Sequence, residues 1–312
     1  MSLEEEFRRL APAGGTLLTI GVFDGVHRGH QKLLAELNLQ AEAAHLTSGV
    51  ITFNNHPLSR LGQGPPPLLS SVETKNRMLK DLGAGFIANM DFSVELAAMG
   101  AREFSQMLVR QLNMKGLVLG FDFAMGRNRE GSLEMMQLLA LEMGFGLTIV
   151  PPVKIEGEIV SSTAIRRMIL SGKVSQAARF LGRYHSLEGR VKKGKGLGKK
   201  LGFPTANLKI DPRFVVPPNG IYAAFCHTGS RRYGCAVNIG TGPTFEGTER
   251  LIEAHLLDFD GELYRSELQI EIVERIRDEL RFQTVDELVT RIEDDIARIR
   301  QIIERESRPW DT

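Results

Sequence analysis

The segment Thr19-Ile20-Gly21-Val22-Phe23-Asp24-Gly25-Val26-His27-Arg28-Gly29-His30 puts two imidazoles three residues apart where an apolar run meets the start of a helix. Residues three apart on a helix share a face, so His27 and His30 can address one ligand. A helix start also offers backbone N–H groups and the positive end of a dipole, which suits phosphate. The string does not have the spacing of a Walker loop. A strand–helix turn with two incidental histidines is the plain alternative. The Phe23-Asp24-Gly25 turn before the pair and Gly29 within it favour phosphate handling. So does the position at the first strand–helix junction, where open α/β sheets bind ligands.

Other residues could join the same edge. Ser161-Ser162-Thr163-Ala164-Ile165-Arg166 clusters hydroxyls at a predicted helix start, either as a cap or as an anion site completed by Arg166. Its position after the last strand, on the edge that carries the histidines, favours the anion site. Asp122, in Gly120-Phe121-Asp122-Phe123-Ala124-Met125-Gly126, could bind a ribose hydroxyl or a metal, or cap a turn. His56, in Thr52-Phe53-Asn54-Asn55-His56-Pro57, follows a strand end and reads as a turn residue or a ligand contact.

A second constellation lies far downstream. Gly194 to Asn207 reads Gly-Lys-Gly-Leu-Gly-Lys-Lys-Leu-Gly-Phe-Pro-Thr-Ala-Asn. It fits neither the Walker nor the dinucleotide glycine pattern. Its glycines still let a backbone close on phosphates, and Lys195, Lys199 and Lys200 supply charge; a solvated basic turn is the alternative. Thr205 and Asn207, two apart, share one face of an extended strand and offer hard oxygens suited to Mg²⁺. In Leu251-Ile252-Glu253-Ala254-His255-Leu256-Leu257 a carboxylate interrupts an apolar run. On a strand Glu253 and His255 oppose Ile252, Ala254 and Leu256, either as a solvent face or with Glu253 as a general base.

Two kinds of element must hold these groups. From Leu17 to about Leu181, candidate strands Leu17–Val22, Gly49–Phe53, Phe86–Met90, Gly116–Gly120 and Leu147–Val150 alternate with helical patterns. The helices are Gln31–Ala44, Val72–Leu82, Arg102–Leu112 and Leu133–Met143. That alternation predicts a parallel sheet in an open α/β domain, with Ser70 and Glu73 as a capping box for the second helix. Gly62–Pro67 reads as a mobile loop. After Gly182, the runs Leu187–Val191, Ile221–Phe225, Tyr233–Ile239, Ile252–Leu257 and Leu268–Val273 are separated by turn residues, predicting an antiparallel barrel or sandwich. Val285, Leu288, Val289, Ile292, Ile296 and Ile299 form one stripe on a closing helix expected to pack on the barrel. The linker falls at Gly182–Ser186.

The 312 residues suit two domains, and 42% apolar with 25% charged residues is an ordinary globular balance. A formal net charge of +1 argues against a protein devoted to nucleic acid. Cys226 and Cys235 lack a zinc pattern and read as small buried hydrophobes in a reducing compartment. Glu4, Glu5 and Glu6 oppose a signal peptide, and no apolar run reaches membrane-spanning length. A soluble cytoplasmic protein with no membrane or nucleic-acid partner is expected; oligomeric state has no signature.

Together these residues resemble the bacterial bifunctional riboflavin kinase/FAD synthetase family over nearly the whole chain. Gly21–His30, His56-Pro57, Gly120–Gly126 and Ser161–Arg166 match its adenylyltransferase module. Gly202-Phe203-Pro204-Thr205-Ala206-Asn207, Gly220-Ile221-Tyr222, Asn238-Ile239-Gly240, Pro243-Thr244 and Glu253 match its kinase barrel. The resemblance implies a Rossmann-like nucleotidyltransferase domain at residues 1–183 and an antiparallel β-barrel kinase domain with a terminal helix at 184–312. It implies ATP-dependent conversion of riboflavin to FMN, then of FMN to FAD with release of pyrophosphate. His27, His30 and Glu253 would be catalytic. Gly21, Phe23, Asp24, Gly25, Gly29, Asp122, Ser161, Ser162, Thr163 and Arg166 would bind the adenylyl donor. Gly194, Gly198, Lys199, Gly202 and Pro204 would bind the phosphoryl donor. Thr205 and Asn207 would hold Mg²⁺, and Asn54 and His56 would lie by the flavin.

Three positions depart from the family pattern. Asn54-Asn55 stands for Glu-Pro before His56. Gly-Lys-Gly-Leu-Gly-Lys stands for Gly-Asp-Lys-Arg-Gly-Arg from Gly194, so Lys199 lacks the fork of an arginine. Ser132 follows Gly131 where Asp is common. Two other readings remain at this stage. One is a nucleotidyltransferase with a different acceptor, which has no need of the barrel. The other is RNA binding through residues 190–200, which lack an aromatic stacking platform.

Overall fold

The computed structural model describes residues 3–57, 64–127, 130–194, 196–229, 231–244 and 247–306, without the side chains of 197, 242–244 and 247–249. Lys195 and Gly62 therefore lie outside the described residues, as do the side chains of Pro243 and Thr244. The chain divides into two compact units, Met1–Ser162 and Thr163–Thr312.

The first unit runs α1 (Leu3–Leu10), β1 (Thr16–Ile20), α2 (Arg28–Ala43), β2 (Thr47–Phe53), α3 (Val72–Asp81), β3 (Phe86–Met90), α4 (Val94–Ala98), α5 (Ala101–Gln111), β4 (Met114–Gly120), α6 (Leu133–Met143) and β5 (Gly146–Val150). A hairpin of β6 (Lys154–Ile155) and β7 (Glu158–Ile159) follows. The sheet is parallel, in the order β3-β2-β1-β4-β5. Side chains alternate across it. Leu18, Ile51 and Leu117 pack with Phe104, Leu108 and Met136 on one face. Leu17, Val50 and Val118 pack with Leu34, Leu37 and Leu79 on the other. With both faces covered, β1 is buried throughout, its Thr16 and Thr19 included. Strand order reverses between β1 and β4, so their C-terminal ends flank the crevice where such sheets hold ligands.

All five predicted strands and four predicted helices of this unit form, Phe86–Met90 and Leu133–Met143 at the predicted bounds. The α3 cap differs: Ser71, not Ser70, accepts the Thr74 N–H at 3.0 Å. The acid-rich start also forms α1, which buries Phe7.

The second unit opens with α7 (Ser162–Leu170) and α8 (Val174–Leu181). It continues with β8 (His185–Lys192), α9 (Leu197–Lys200), β9 (Ala206–Ile210), β10 (Gly220–Thr228), β11 (Arg231–Thr244), β12 (Gly247–Leu256), β13 (Glu267–Arg277) and α10 (Val285–Glu306). The six strands close into a barrel in the order β10-β11-β12-β9-β8-β13. Its core includes Leu187, Tyr222, Val237, Ile252, Ala254 and Ile270. The compact unit begins well before residue 184 because α8 belongs to this packing. Val174 joins the barrel core, and Ala178 packs with Tyr184, Phe225 and Val273.

The closing helix packs on the barrel as its stripe predicts, but only toward its end: Ile299 and Ile302 are buried, whereas Val285 is 60% exposed. Asp295, off the stripe, is buried against Arg277 of β13, with contacts of 2.6 to 3.1 Å. Cys226 and Cys235 are free and fully buried; burial pushes the Cys226 thiol up to about 12, so they act as the expected small hydrophobes.

Candidate active sites

The turn from β1 to α2 is held by unusual backbone. Phe23, Gly25 and Val26 all have positive φ, at 54°, 79° and 37°. For β-branched Val26 this is strained, and such strain concentrates at functional sites. A Cβ at Gly21 would sit 3.1 Å from the Phe23 ring, a tight contact that glycine avoids.

His27 is the N-cap of α2, its Nδ1 accepting the His30 N–H at 3.3 Å. One N–H expected to face phosphate is thus taken by the first histidine. A ring nitrogen that accepts carries no proton, so neutral His27 has its N–H at Nε2, a donor suited to a phosphate oxygen. The two imidazoles stack with centroids 3.6 Å apart and planes 14° from parallel. Phe23 is buried, its ring 5.0 Å from that of His30. Gly29 makes room for this pair: a Cβ there would lie 3.1 Å from the His27 ring.

Asp24 does internal work. Its buried carboxylate accepts the Leu69 N–H at 3.0 Å and the Ser70 N–H at 3.2 Å. Ser70 Oγ in turn accepts the Gly25 N–H at 3.1 Å, which is why the α3 cap falls to Ser71. Ser162 donates its hydroxyl to the Asp24 carbonyl at 2.9 Å, bringing the serine cluster to the histidine turn. Ser161 is half-buried beside it; Thr163 and buried Arg166 lie on α7 in the second unit. Asp122 is exposed just beyond β4.

Asn54 and Asn55 tie the turn after β2 to the turn after β3. Asn54 Nδ2 donates to Asp91 at 2.9 Å, and Asn55 pairs its amide with the Phe92 backbone at 2.6 and 3.2 Å. The next residue, His56, is half-buried. Sequence patterns do not flag Lys75, which reads as a solvated helix residue. It is 5% exposed and donates to Thr52 Oγ1 at 3.0 Å and to the Phe53 carbonyl at 2.6 Å. Burial lowers its ammonium to about 8, while the Asp24 charge pulls the other way.

On the barrel, Glu253 and His255 point away from the core that holds Ile252, Ala254 and Leu256. Glu253 pairs with Asn207 of β9 and with Asn238 of β11. Asn238 Nδ2 lies 3.4 Å from Glu253 Oε2, a long contact. The glycine-rich segment folds onto the same place. Gly194 packs so closely on the Asn207 amide that no Cβ fits, and Gly198 does the same against the Phe203 carbonyl, with Thr205 Oγ1 3.2 Å from its would-be Cβ. Lys199 and Lys200 are exposed on α9, Gly202 turns the chain at φ +91°, and Pro204 is exposed. His255 Nδ1 meets the Pro204 carbonyl at 2.8 Å. Among the described residues no cluster of His, Cys, Asp or Glu could hold a metal alone.

Comparison with known proteins agrees with this division. Residues 11–164 match the FAD synthetase family model and residues 181–303 the riboflavin kinase model. The bifunctional riboflavin kinase/FMN adenylyltransferase of Escherichia coli K12 is 36% identical over 294 residues, 93% of this chain and 94% of that protein. The enzyme of that name from Bacillus subtilis is 33% identical over 90% of each chain. A crystal structure named for a macrolide-efflux protein of Streptococcus pneumoniae superimposes with a TM-score of 0.87 at 31% identity, covering 93% of this chain and 95% of that one. Among the described residues no helix is long and apolar enough to cross a membrane.

Proposed function

The chain belongs to the bifunctional riboflavin kinase/FMN adenylyltransferase family, and we propose that its two constellations perform the two reactions in sequence. It phosphorylates riboflavin to FMN with ATP and then adenylylates FMN to FAD. The observation that carries the assignment is the alignment of Glu253 between Asn207 and Asn238 on one unit, in a chain whose other unit stacks His27 on His30.

In the kinase, Glu253 accepts the proton of the ribityl 5′-hydroxyl as its oxygen bonds to the γ-phosphorus. The bond from that phosphorus to the β-phosphate bridge breaks and ADP leaves. Gly194, Gly198, Gly202 and Pro204 shape a backbone cradle for the ATP phosphates, with Lys199 adding charge. Thr205 and Asn207 would hold Mg²⁺. The fit is supported by Gly194 packing on the Asn207 amide and Gly198 packing beside Thr205 Oγ1 with no room for a Cβ at either glycine, and by that ion's habit of taking few protein ligands beside substrate phosphates. When bound, the ion neutralises charge on those phosphates.

In the adenylyltransferase, a phosphate oxygen of FMN attacks the α-phosphorus of ATP and pyrophosphate departs. His27 and His30 stabilise the charge that develops, with Gly21, Gly25, Gly29, Ser161 and Ser162 completing the nucleotide site. Asp24 and Phe23 act by fixing the turn. Asp122 binds the nucleotide at the end of β4, and Asn54 and His56 border the flavin. No covalent enzyme intermediate is required. We assign adenylyl transfer to residues 1–183 and kinase chemistry to 184–312, in the cytoplasm, where free Cys226 and Cys235 stay reduced.

Chromatography of flavins after incubation with riboflavin, ATP and Mg²⁺ tests the scheme. H30A should stop at FMN. E253A should make no FMN yet still convert supplied FMN to FAD. A variant pair that fails to separate the two steps would overturn the residue assignment.

A further inference from the structure

The ladder between β12 and β9 has only three pairs: Ile252 with Leu208, Glu253 with Asn207, and Ala254 with Ala206. It ends one residue short of Thr205. The segment that carries Thr205 must therefore be held by something else. On one side the Phe203 N–H donates to the Gly198 carbonyl at 2.8 Å. On the other, the only side-chain tie among the described residues is His255, whose Nδ1 lies 2.8 Å from the Pro204 carbonyl. A carbonyl can only accept, so Nδ1 carries the proton. The same imidazole meets the Phe203 ring edge-on, with centroids 5.9 Å apart and planes at 85°. His255 is two residues from Glu253 on the same strand face, so one short run of β12 carries both the general base and this tie.

We infer that His255 is a positioning residue of the kinase: its Nδ1–H clamps Pro204 and so fixes Thr205 against Asn207 and Glu253. Without the clamp, the Phe203–Thr205 segment loses its link to β12, while the β9 ladder below it stays paired. The inference rests on the reading of Glu253, Asn207 and Thr205 as the kinase site.

Isosteric replacement distinguishes the clamp from simple packing. The amide nitrogen of asparagine reaches where Nδ1 sits, whereas that of glutamine reaches toward Nε2. H255A should raise the kinase KM for MgATP at least tenfold, with a smaller fall in kcat. H255N should recover most of the loss and H255Q little of it. All three should adenylylate supplied FMN at the native rate, an internal check that the chain is folded, and barrel melting should follow no such Asn-over-Gln order. Kinase constants within twofold of native in H255A, or equal damage in H255N and H255Q, would overturn the clamp. E253Q assayed alongside keeps the two readings apart. If E253Q retains kinase activity the site assignment fails; if E253Q is inactive and H255A is native-like, only the clamp fails.

Discussion

Glu253 stands directly opposite Asn207 across the antiparallel pair β12 and β9, and Asn238 faces it from β11 on the other side. A carboxylate between two amides on an outward barrel face can be oriented without being neutralised. Asn238 Oδ1 is buried with no hydrogen-bond partner among the described residues, and its Nδ2 is the amide donor facing Glu253.

Replacing Asn238 therefore acts through Glu253. N238A removes the donor and should lower kinase kcat about tenfold, the equivalent of about 1.4 kcal/mol in the barrier. N238D sets a second carboxylate against the first and should lower it further through like-charge repulsion. Steady-state FMN formation measures both effects, with FAD formation from supplied FMN unchanged.

Gly194 tests the phosphate cradle by shape alone. It packs on the Asn207 amide where no Cβ fits, and its φ is not positive, so alanine is excluded by contact and not by backbone preference. G194A should displace Asn207 or the loop and raise the kinase KM for MgATP about tenfold or more. Gly196 has positive φ and open space around it, so G196A should cost about 1 kcal/mol of local backbone strain with a smaller kinase defect. ATP titrations of the two variants compare them directly.

What could be read ahead of the structure divides by distance along the chain. The His27–His30 pair, the alternation that builds the sheet, and the outward face shared by Glu253 and His255 follow from spacing of a few residues, which periodicity reports. The Ser162–Asp24, Asn238–Glu253 and His255–Pro204 contacts depend on strand register and crossover, which no local pattern encodes. Ser70 and Ser71 show the limit within one turn: both can cap a helix, and the distant Gly25 N–H decides by occupying the Ser70 Oγ. Lys75 and Asp295 stayed hidden because charged residues on amphipathic helices read as solvated unless their partners are known.

Lys75 gives the first unit a pH signature. Its ammonium is lowered by burial to about 8, against 10.5 when unfolded. Below about pH 8 both states hold the proton, and the folded state bears a buried charge. Between about 8 and 10.5 the unfolded state binds more protons, so stability contributed at this site rises with pH. The unfolding free energy of the native chain minus that of K75M should climb across that window by up to about 3 kcal/mol. Denaturant titrations followed by first-unit probes at several pH values measure it; a flat difference would refute the buried ammonium.

The Arg277–Asp295 pair makes the opposite demand on the second unit. The two side chains are only 12% and 7% exposed, and the guanidinium meets both carboxylate oxygens, locking α10 to β13. D295A strands the Arg277 guanidinium in a dry site and should destabilise the barrel by about 3–5 kcal/mol, whereas R277A leaves Asp295 the Arg291 guanidinium at 3.5 Å and should cost less. Replacing both with apolar residues of similar size strands nothing. The R277M/D295L double variant should regain most of that loss, because desolvating two charges already offsets much of the attraction between them. Chemical denaturation of all four proteins reads the cycle, and a double variant as unstable as D295A would show that the ion pair itself, not the avoidance of a lone charge, holds the helix in place.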